Sequence, residues 1–396
     1  MKNSLRLLPE YTKKGREKMR VLITDGGYKH TLGILRHLPP TYHKTVLSHG
    51  KKWTTLCFYS KYCDSVVSMP LSSIKEENKN KLIEILKNGK YDVLIPVGFN
   101  SCKLIYEYSS EIAKYTRILS PSWDSFVTAS EKEKTMIFSE EVGVPIPKTV
   151  PVTSVDDLDN ISHFPAVLKP AGGTGGKVYY CNTIEELKSA YRCSEKTEFG
   201  YLCQEYISGF GCGYFGLYAD GKKLASFMHK RIKEYPVSGG PSVVAESFYD
   251  KRLENYGHKL CEGLKWSGPI MCEFKYDPIR DDYKLIEINP KFWGSLELTL
   301  EAGVNMPYLM VQYITNQNPK LIENYENIRY RWILSGELLH YLETRKDTRF
   351  SEFRKRQPNE VTDIRLDDPL ATLYLSAMCL VKIVITFMRK HSTKER

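Results

Sequence analysis

The chain has 396 residues, of which 42% are apolar, 26% charged and 12% aromatic, and Lys and Arg outnumber Asp and Glu by 57 to 47. A single core seldom grows past roughly 250 to 300 residues, so two or three domains of a soluble globular protein are expected. The ten cysteines are scattered from Cys57 to Cys379 without a C-x-x-C pair; this argues against a disulfide framework or a structural zinc and for a reducing, cytoplasmic setting.

The net charge of +10 leans toward anionic partners. The basic residues are dispersed and no aromatic-basic motif appears, so no nucleic acid is expected among them. Residues 1–18, MKNSLRLLPEYTKKGREK, lack the apolar core of a secretory signal and read as a basic arm. VLITDGG (21–27) is an apolar run ending in Asp-Gly-Gly, followed by a helical pattern to about Leu38. A helix-like NKNKLIEILKNG (78–89) then precedes YDVLIPVG (91–98). Strand, glycine turn, helix and strand are the grammar of a parallel sheet, which predicts an α/β domain over 19–125. No G-x-G-x-x-G follows the first strand, so a dinucleotide fingerprint is absent.

Ser130 opens an amphipathic helix, SEKEKTMIFSEE, that stops at Gly143 and two prolines. FPAVLKPAGGTGGKVYYC (164–181), the helix TIEELKSAY and YLCQEYISGFGCGYFGLYADGKKLASFM (201–228) follow. They predict a small mixed subdomain over about 150–203 and then a hairpin turning at Ala219 to Lys222. AGGTGGKV is no P-loop, because Ala171 stands at its first glycine and Val178 at its magnesium-binding hydroxyl. In GFGCGYFG (209–216) the glycines read as sites of close backbone approach rather than a nucleotide motif.

MCEFKYDPIRDDYKLIEIN (271–289) reads as a second hairpin around DPIRDD. With its turn centred on Arg280, Glu273 lies opposite Glu287, and Asn289 shares the face of Glu287. Two carboxylates so close repel unless a positive group stands between them. With the Asn289 amide they form an oxygen-only set suited to a hard cation such as Mg²⁺, with Mn²⁺ as the alternative. The ordinary alternative is a solvated face of the hairpin.

Taken in order, EK-x9-VGVPIPKT, AVLKPAGGTGGKVYY, QEYISG, CEFKYD and IEINPKFWG resemble the ATP-grasp superfamily, specifically its carboxylate–amine ligase-like members, from about Glu131 to Leu309. The resemblance implies an α/β and α+β chain: a Rossmann-like preATP-grasp domain, an ATP-grasp domain over 126–318, and a helical extension over 319–396. It also implies that ATP lies between two lobes. Lys132 and Lys169 match the lysines that reach the phosphates. Gly172, Gly173, Thr174, Gly175 and Gly176 match the phosphate-covering loop. Gln204, Glu205, Tyr206 and Ile207 match the hinge that takes the adenine edge, and Glu273, Glu287 and Asn289 match the metal ligands.

HKRIKEYPVSGGPSVVAES (229–247) resembles the segment that holds the γ-phosphate and the acyl phosphate, with Arg231 as its catalytic charge; Lys230 and Lys233 read as a solvated basic loop. The chain departs from many relatives at Lys291, where they carry arginine, and a lysine lacks the bidentate fork of that residue. Lys291 is therefore a second catalytic candidate, toward the substrate carboxylate. The implied activity is an ADP-forming ligase acting on a small-molecule carboxylate and an amine. The alternatives are a kinase of small molecules and a non-catalytic, ATP-binding regulator at a membrane. The apolar run LATLYLSAMCLVKIVITFM (370–388) is interrupted by Lys382. It predicts a helix docked on the body or on a second subunit, with an interfacial membrane contact and a spanning helix as the other arrangements.

Overall fold

The computed structural model describes residues 18–392 apart from 173–175, 196, 198–199, 238, 318, 321 and 323. All of the basic arm but Lys18 lies outside the described residues.

Four parallel strands open the fold: β1 (Arg20–Ile23), β2 (His43–Ser48), β3 (Ser65–Ser68) and β4 (Val93–Ile95), in the order β3-β2-β1-β4. Val21, Leu22 and Ile23 are wholly buried, as an apolar run covered on both faces must be. The helices Lys29–His37 and Lys75–Gly89 make crossovers. After β1 the chain turns at Asp25, whose φ is 59°, and passes so close to β2 that a Cβ on Gly26 would lie 2.2 Å from Val46. The strand order reverses between β1 and β4, the position at which α/β sheets bind ligands.

The small subdomain is a four-stranded sheet of β5 (Thr149–Val152), β6 (Ala166–Pro170), β7 (Tyr179–Cys181) and β8 (Tyr201–Glu205), in the order β5-β8-β6-β7. The helix Ile184–Arg192 covers it, and Leu158, Leu168, Leu187 and Cys203 belong to a core of its own.

The large sheet comprises β9 (Gly211–Ala219), β10 (Lys222–Glu234), β11 (Ser242–Ser247), β12 (Gly268–Asp277), β13 (Asp282–Asn289), β14 (Arg329–Arg331) and β15 (Glu360–Thr362). Their order is β13-β12-β9-β10-β11-β14-β15. The hairpin between β9 and β10 turns where the Asp-Gly pair places it. One core runs from Ile23 and Ile34 of the first domain to Phe215 and Trp293 of this one, so the two are packed as a unit.

The C-terminal extension is helical, as expected, but it also contributes β14 and β15 to the main sheet. The strands are too short, at three residues each, to show a period in sequence. Its last helix, Pro369–Ser392, docks along the body: Asp368 at its start accepts from Ser60 Oγ at 2.8 Å, and the Tyr374 hydroxyl donates to the Thr54 carbonyl at 2.8 Å. By length and composition, Pro369–Met388 is the one candidate span among the described residues. All ten cysteines are free thiols.

Candidate active site

The expected pairing of Glu273 with Glu287 is present, in a register that carries a bulge. Asp277 pairs with Asp282 and Phe274 with Leu285, but Glu273 pairs with Glu287, leaving Ile286 as the extra residue. The bulge aims the Ile286 carbonyl at Lys169, whose ammonium donates to it at 3.2 Å. The Asn289 amide donates to Glu287 Oε1 at 2.8 Å, and Lys132 stands 4.0 Å from Glu287 Oε2. Lys132 comes from the first turn of the helix Lys132–Glu141 and Lys169 from β6, so two separate elements converge on β13.

Arg231 of β10 reaches Glu273 Oε2 at 2.6 Å and Glu234 at 3.4 Å. It crosses β9 where that strand has no side chain: Glu273 pairs with Gly213, and a Cβ on Gly211 would lie 3.1 Å from Arg231 Cδ. Because β12 lies between β13 and β9, Arg231 approaches Glu273 from the side opposite Glu287. The guanidinium pairs with Glu273, whereas Glu287 is met by Asn289 and Lys132.

Burial raises the Glu273 carboxyl above its ordinary range; Arg231 opposes the shift and the charge of Glu287 adds to it. Burial also works against Glu287, but Lys132, the Asn289 amide and Lys169 outweigh it and hold that carboxyl low. Burial brings the Lys169 ammonium down to about 8, with Glu287 opposing and Lys132 adding. An arriving phosphate would favour its charged form.

The remaining sequence candidates are placed as follows. Gly172 and Gly176 flank the glycine loop, while Gly173, Thr174 and Gly175 lie outside the described residues. Gly176 has φ 106° and sits where a Cβ would be 2.7 Å from Pro170. The Gln204 side chain is buried and donates to Thr149 Oγ1 at 2.8 Å, so its carboxamide nitrogen is held within the small sheet. Glu205 pairs with Arg280 at 3.0 Å, Tyr206 is partly exposed, and the Ile207 carbonyl accepts from Lys275 at 2.8 Å. The expectation for Lys230 and Lys233 fails: Lys230 pairs with Glu246 at 2.9 Å and Lys233 with buried Glu337 at 3.0 Å. Lys291 makes no side-chain hydrogen bond or ion pair among the described residues. Burial lowers its pKa, against the pull of Glu287 and Asp25, so it lies within electrostatic reach of both domains.

Sequence reasoning missed a second cluster, at the switch point of the first sheet. Asp25 Oδ2 accepts from the Gly98 amide at 2.7 Å, and its Oδ1 meets His49 Nε2 at 3.1 Å. The remaining His49 nitrogen is 3.2 Å from the Met69 carbonyl. Its only sequence signal was the polar Asp-Gly-Gly turn after an apolar strand. Burial opposes both charges, but the hydrogen bonds win: those of His49, Thr24 and Gly98 hold Asp25 low, and that of Asp25 raises His49.

A folded pKa raised above 6.5 makes the His49 contribution full below that pH and lost as pH rises through the folded value. A folded pKa depressed below 3.8 makes that of Asp25 present above it and lost in acid. Thermal unfolding is therefore expected to show about 1 to 2 kcal/mol less stability above the His49 transition than near pH 6. His49→Gln flattens that step.

Comparisons with known proteins agree with this geometry. Residues 220–335 match the family model described as ATP-grasp in the biosynthetic pathway with Ter operon. The chain is 26% identical to the carbamoyl phosphate synthase large chain of Clostridium acetobutylicum, over 66% of this chain and 26% of that one. It is also 26% identical to a D-aspartate ligase of Enterococcus faecium, over 59% of this chain and 64% of the other. It thus spans about a quarter of the length of the first relative and under two thirds of the second. Among solved structures, the biotin carboxylase of Campylobacter jejuni in a β,γ-ATP complex superposes with a TM-score of 0.64 at 17% identity, covering 78% of this chain and 74% of that one. The chain has the ATP-grasp fold and resembles the carboxylate–amine ligase-like members of that superfamily.

Proposed function

We propose that the protein is an ATP-dependent ligase that activates a substrate carboxylate as an acyl phosphate for attack by an amine, releasing ADP and phosphate. One observation carries this reading: Glu273, Glu287, Asn289, Lys132, Lys169 and Arg231, from five separate elements, converge on one end of the β12–β13 hairpin. Two carboxylates and an amide are an oxygen-only set of the kind that suits magnesium. Glu273, Glu287 and Asn289 would hold it, and when bound it offsets the charge of the β- and γ-phosphates.

The chain's own residues do the rest. Lys132 and Lys169 face the transferring phosphoryl group, and Arg231, 2.6 Å from Glu273, opposes the rise that burial imposes on that carboxyl. A substrate carboxylate oxygen attacks the γ-phosphorus and the bond to the β-phosphate oxygen breaks. The amine nitrogen then attacks the acyl carbon, loses a proton, and phosphate leaves. Lys291, which feels the charges of Glu287 and Asp25 and has no side-chain ion pair among the described residues, is the charge we assign to orienting the substrate carboxylate. No nucleophilic side chain is required, because positioning and charge stabilisation dominate such transfers.

The kinship with a D-aspartate ligase favours an amino acid as one substrate. The reading is tested by ADP release from ATP with Mg²⁺ or Mn²⁺ across a panel of amino acids and amines. Hydroxylamine should trap a hydroxamate. Phosphate transfer to a hydroxyl, with no hydroxamate, would identify a kinase instead.

A further inference from the structure

The C-terminal helix carries two apolar stripes, and the body covers only one. Ala371 and Cys379 are buried against the body. The ring of Tyr374 stacks on Tyr59 at 4.7 Å, and the Arg345 guanidinium lies 5.8 Å from the ring of Phe387. The helix is therefore held at both ends.

On the opposite stripe Leu373, Leu380, Val381, Val384, Ile385 and Met388 point outward, with Leu380 62% and Met388 68% exposed. These residues recur at the spacing of a single helix face. Pro369–Met388 has a mean hydropathy of 2.0, yet only 11% of it is buried. A soluble surface seldom leaves such a stripe uncovered.

The surroundings say what covers it. Exposed Trp53 and Phe58 are the chain neighbours of Thr54 and Tyr59, which the first half of the helix meets through Tyr374. Lys51, exposed with Lys52, places its ammonium 5.4 Å from the Trp53 ring. Leu366, immediately before the helix, is 88% exposed. Aromatic rings and lysines bordering an apolar helical face are the anatomy of a helix lying in a lipid interface, with the lysines at the headgroups.

A second copy suits this surface less well. It would bring a patch of the same positive sign, and one helical stripe falls short of the roughly 20 to 30 residues per side that a stable interface uses. A spanning arrangement would strip the helix from the contacts that hold both its ends.

We propose that this outward face docks the protein flat on an anionic lipid bilayer. The proposal is independent of the ligase reading. It is tested by co-sedimentation of the full chain with vesicles of phosphatidylcholine alone and of phosphatidylcholine with phosphatidylserine.

Binding is expected to the anionic vesicles, weakening as salt is raised. Leu380→Glu with Val384→Glu should lower the partition coefficient roughly hundredfold, since two aliphatic side chains no longer enter the apolar layer. Both positions are solvent-exposed, so the thermal transition should not move; Leu380→Ser with Val384→Ser provides a gentler second variant. Absence of vesicle binding by the wild-type chain, or equal binding by the variants, overturns the proposal. So does a dimer in sedimentation equilibrium that the same substitutions dissociate, or protein that resists alkaline carbonate extraction as a spanning helix would.

Discussion

Glu287→Gln is expected to lower the rate of ADP release by at least about a thousandfold while leaving the protein folded. The substitution keeps the shape of the side chain and removes one charge from a site that concentrates positive groups. Glu287 faces Lys132 at 4.0 Å, accepts from Asn289 at 2.8 Å and lies within the field of Lys169. With its charge gone, the cations lose their counterweight and the proposed metal set retains one carboxylate, itself already engaged by Arg231 at 2.6 Å. The loss should fall on kcat, because the charge matters most as the phosphoryl group transfers. A second readout separates damage to the site from damage to the fold. Wild-type protein should gain thermal stability from ATP with Mg²⁺ beyond that from ATP alone, and Glu287→Gln should lose the Mg²⁺-dependent part. Full turnover in the variant would remove Glu287 from the chemistry.

Much of this site was legible because its residues lie on long alternating strands. The pairing of Glu273 with Glu287 came out as expected, although the turn is centred half a residue away from Arg280. From Asp277–Asp282 to Phe274–Leu285 the register would set Glu273 opposite Ile286, and the bulge at Ile286 restores the expected partner. A bulge has no sequence signature here, so that agreement depended on a feature the sequence did not reveal. The same bulge supplies the carbonyl that holds Lys169.

The glycines of GFGCGYFG (209–216) were read as close approaches, which Gly209, just before β9, bears out: a Cβ there would lie 1.9 Å from the Tyr276 carbonyl oxygen. What sequence could not give was the neighbour across the strand. The passage of Arg231 over Gly211 and Gly213 depends on β10 and β12 flanking β9, a long-range topology. Asp25 with His49 escaped for a related reason, since 24 residues and a helix separate the two partners. The basic loop was misread because Glu246 and Glu337, which neutralise Lys230 and Lys233, arrive from β11 and from beyond β14.

Glu337→Leu is expected to destabilise the protein by about 3 to 5 kcal/mol. Glu337 is 1% exposed and serves two cations: it accepts from Arg331 Nε at 2.7 Å and from Lys233 at 3.0 Å. Arg331, itself buried on β14, also reaches Glu360 at 3.1 Å and the Phe353 carbonyl at 2.6 Å. This network ties β10 and β14 to β15, and thereby anchors the C-terminal extension to the sheet that carries the site. Removing the carboxylate leaves the partly buried Lys233 ammonium and the buried Arg331 guanidinium with Glu360 as the single acidic partner, which is why the loss exceeds that of a surface pair. At roughly 2 to 4 °C per kcal/mol, the thermal midpoint should fall by about ten degrees. Adding Lys233→Met should recover part of the deficit, because the cation left without its acidic partner is then removed as well. Were the single variant to melt with the wild type, β14 and β15 would be peripheral to the sheet rather than part of its framework.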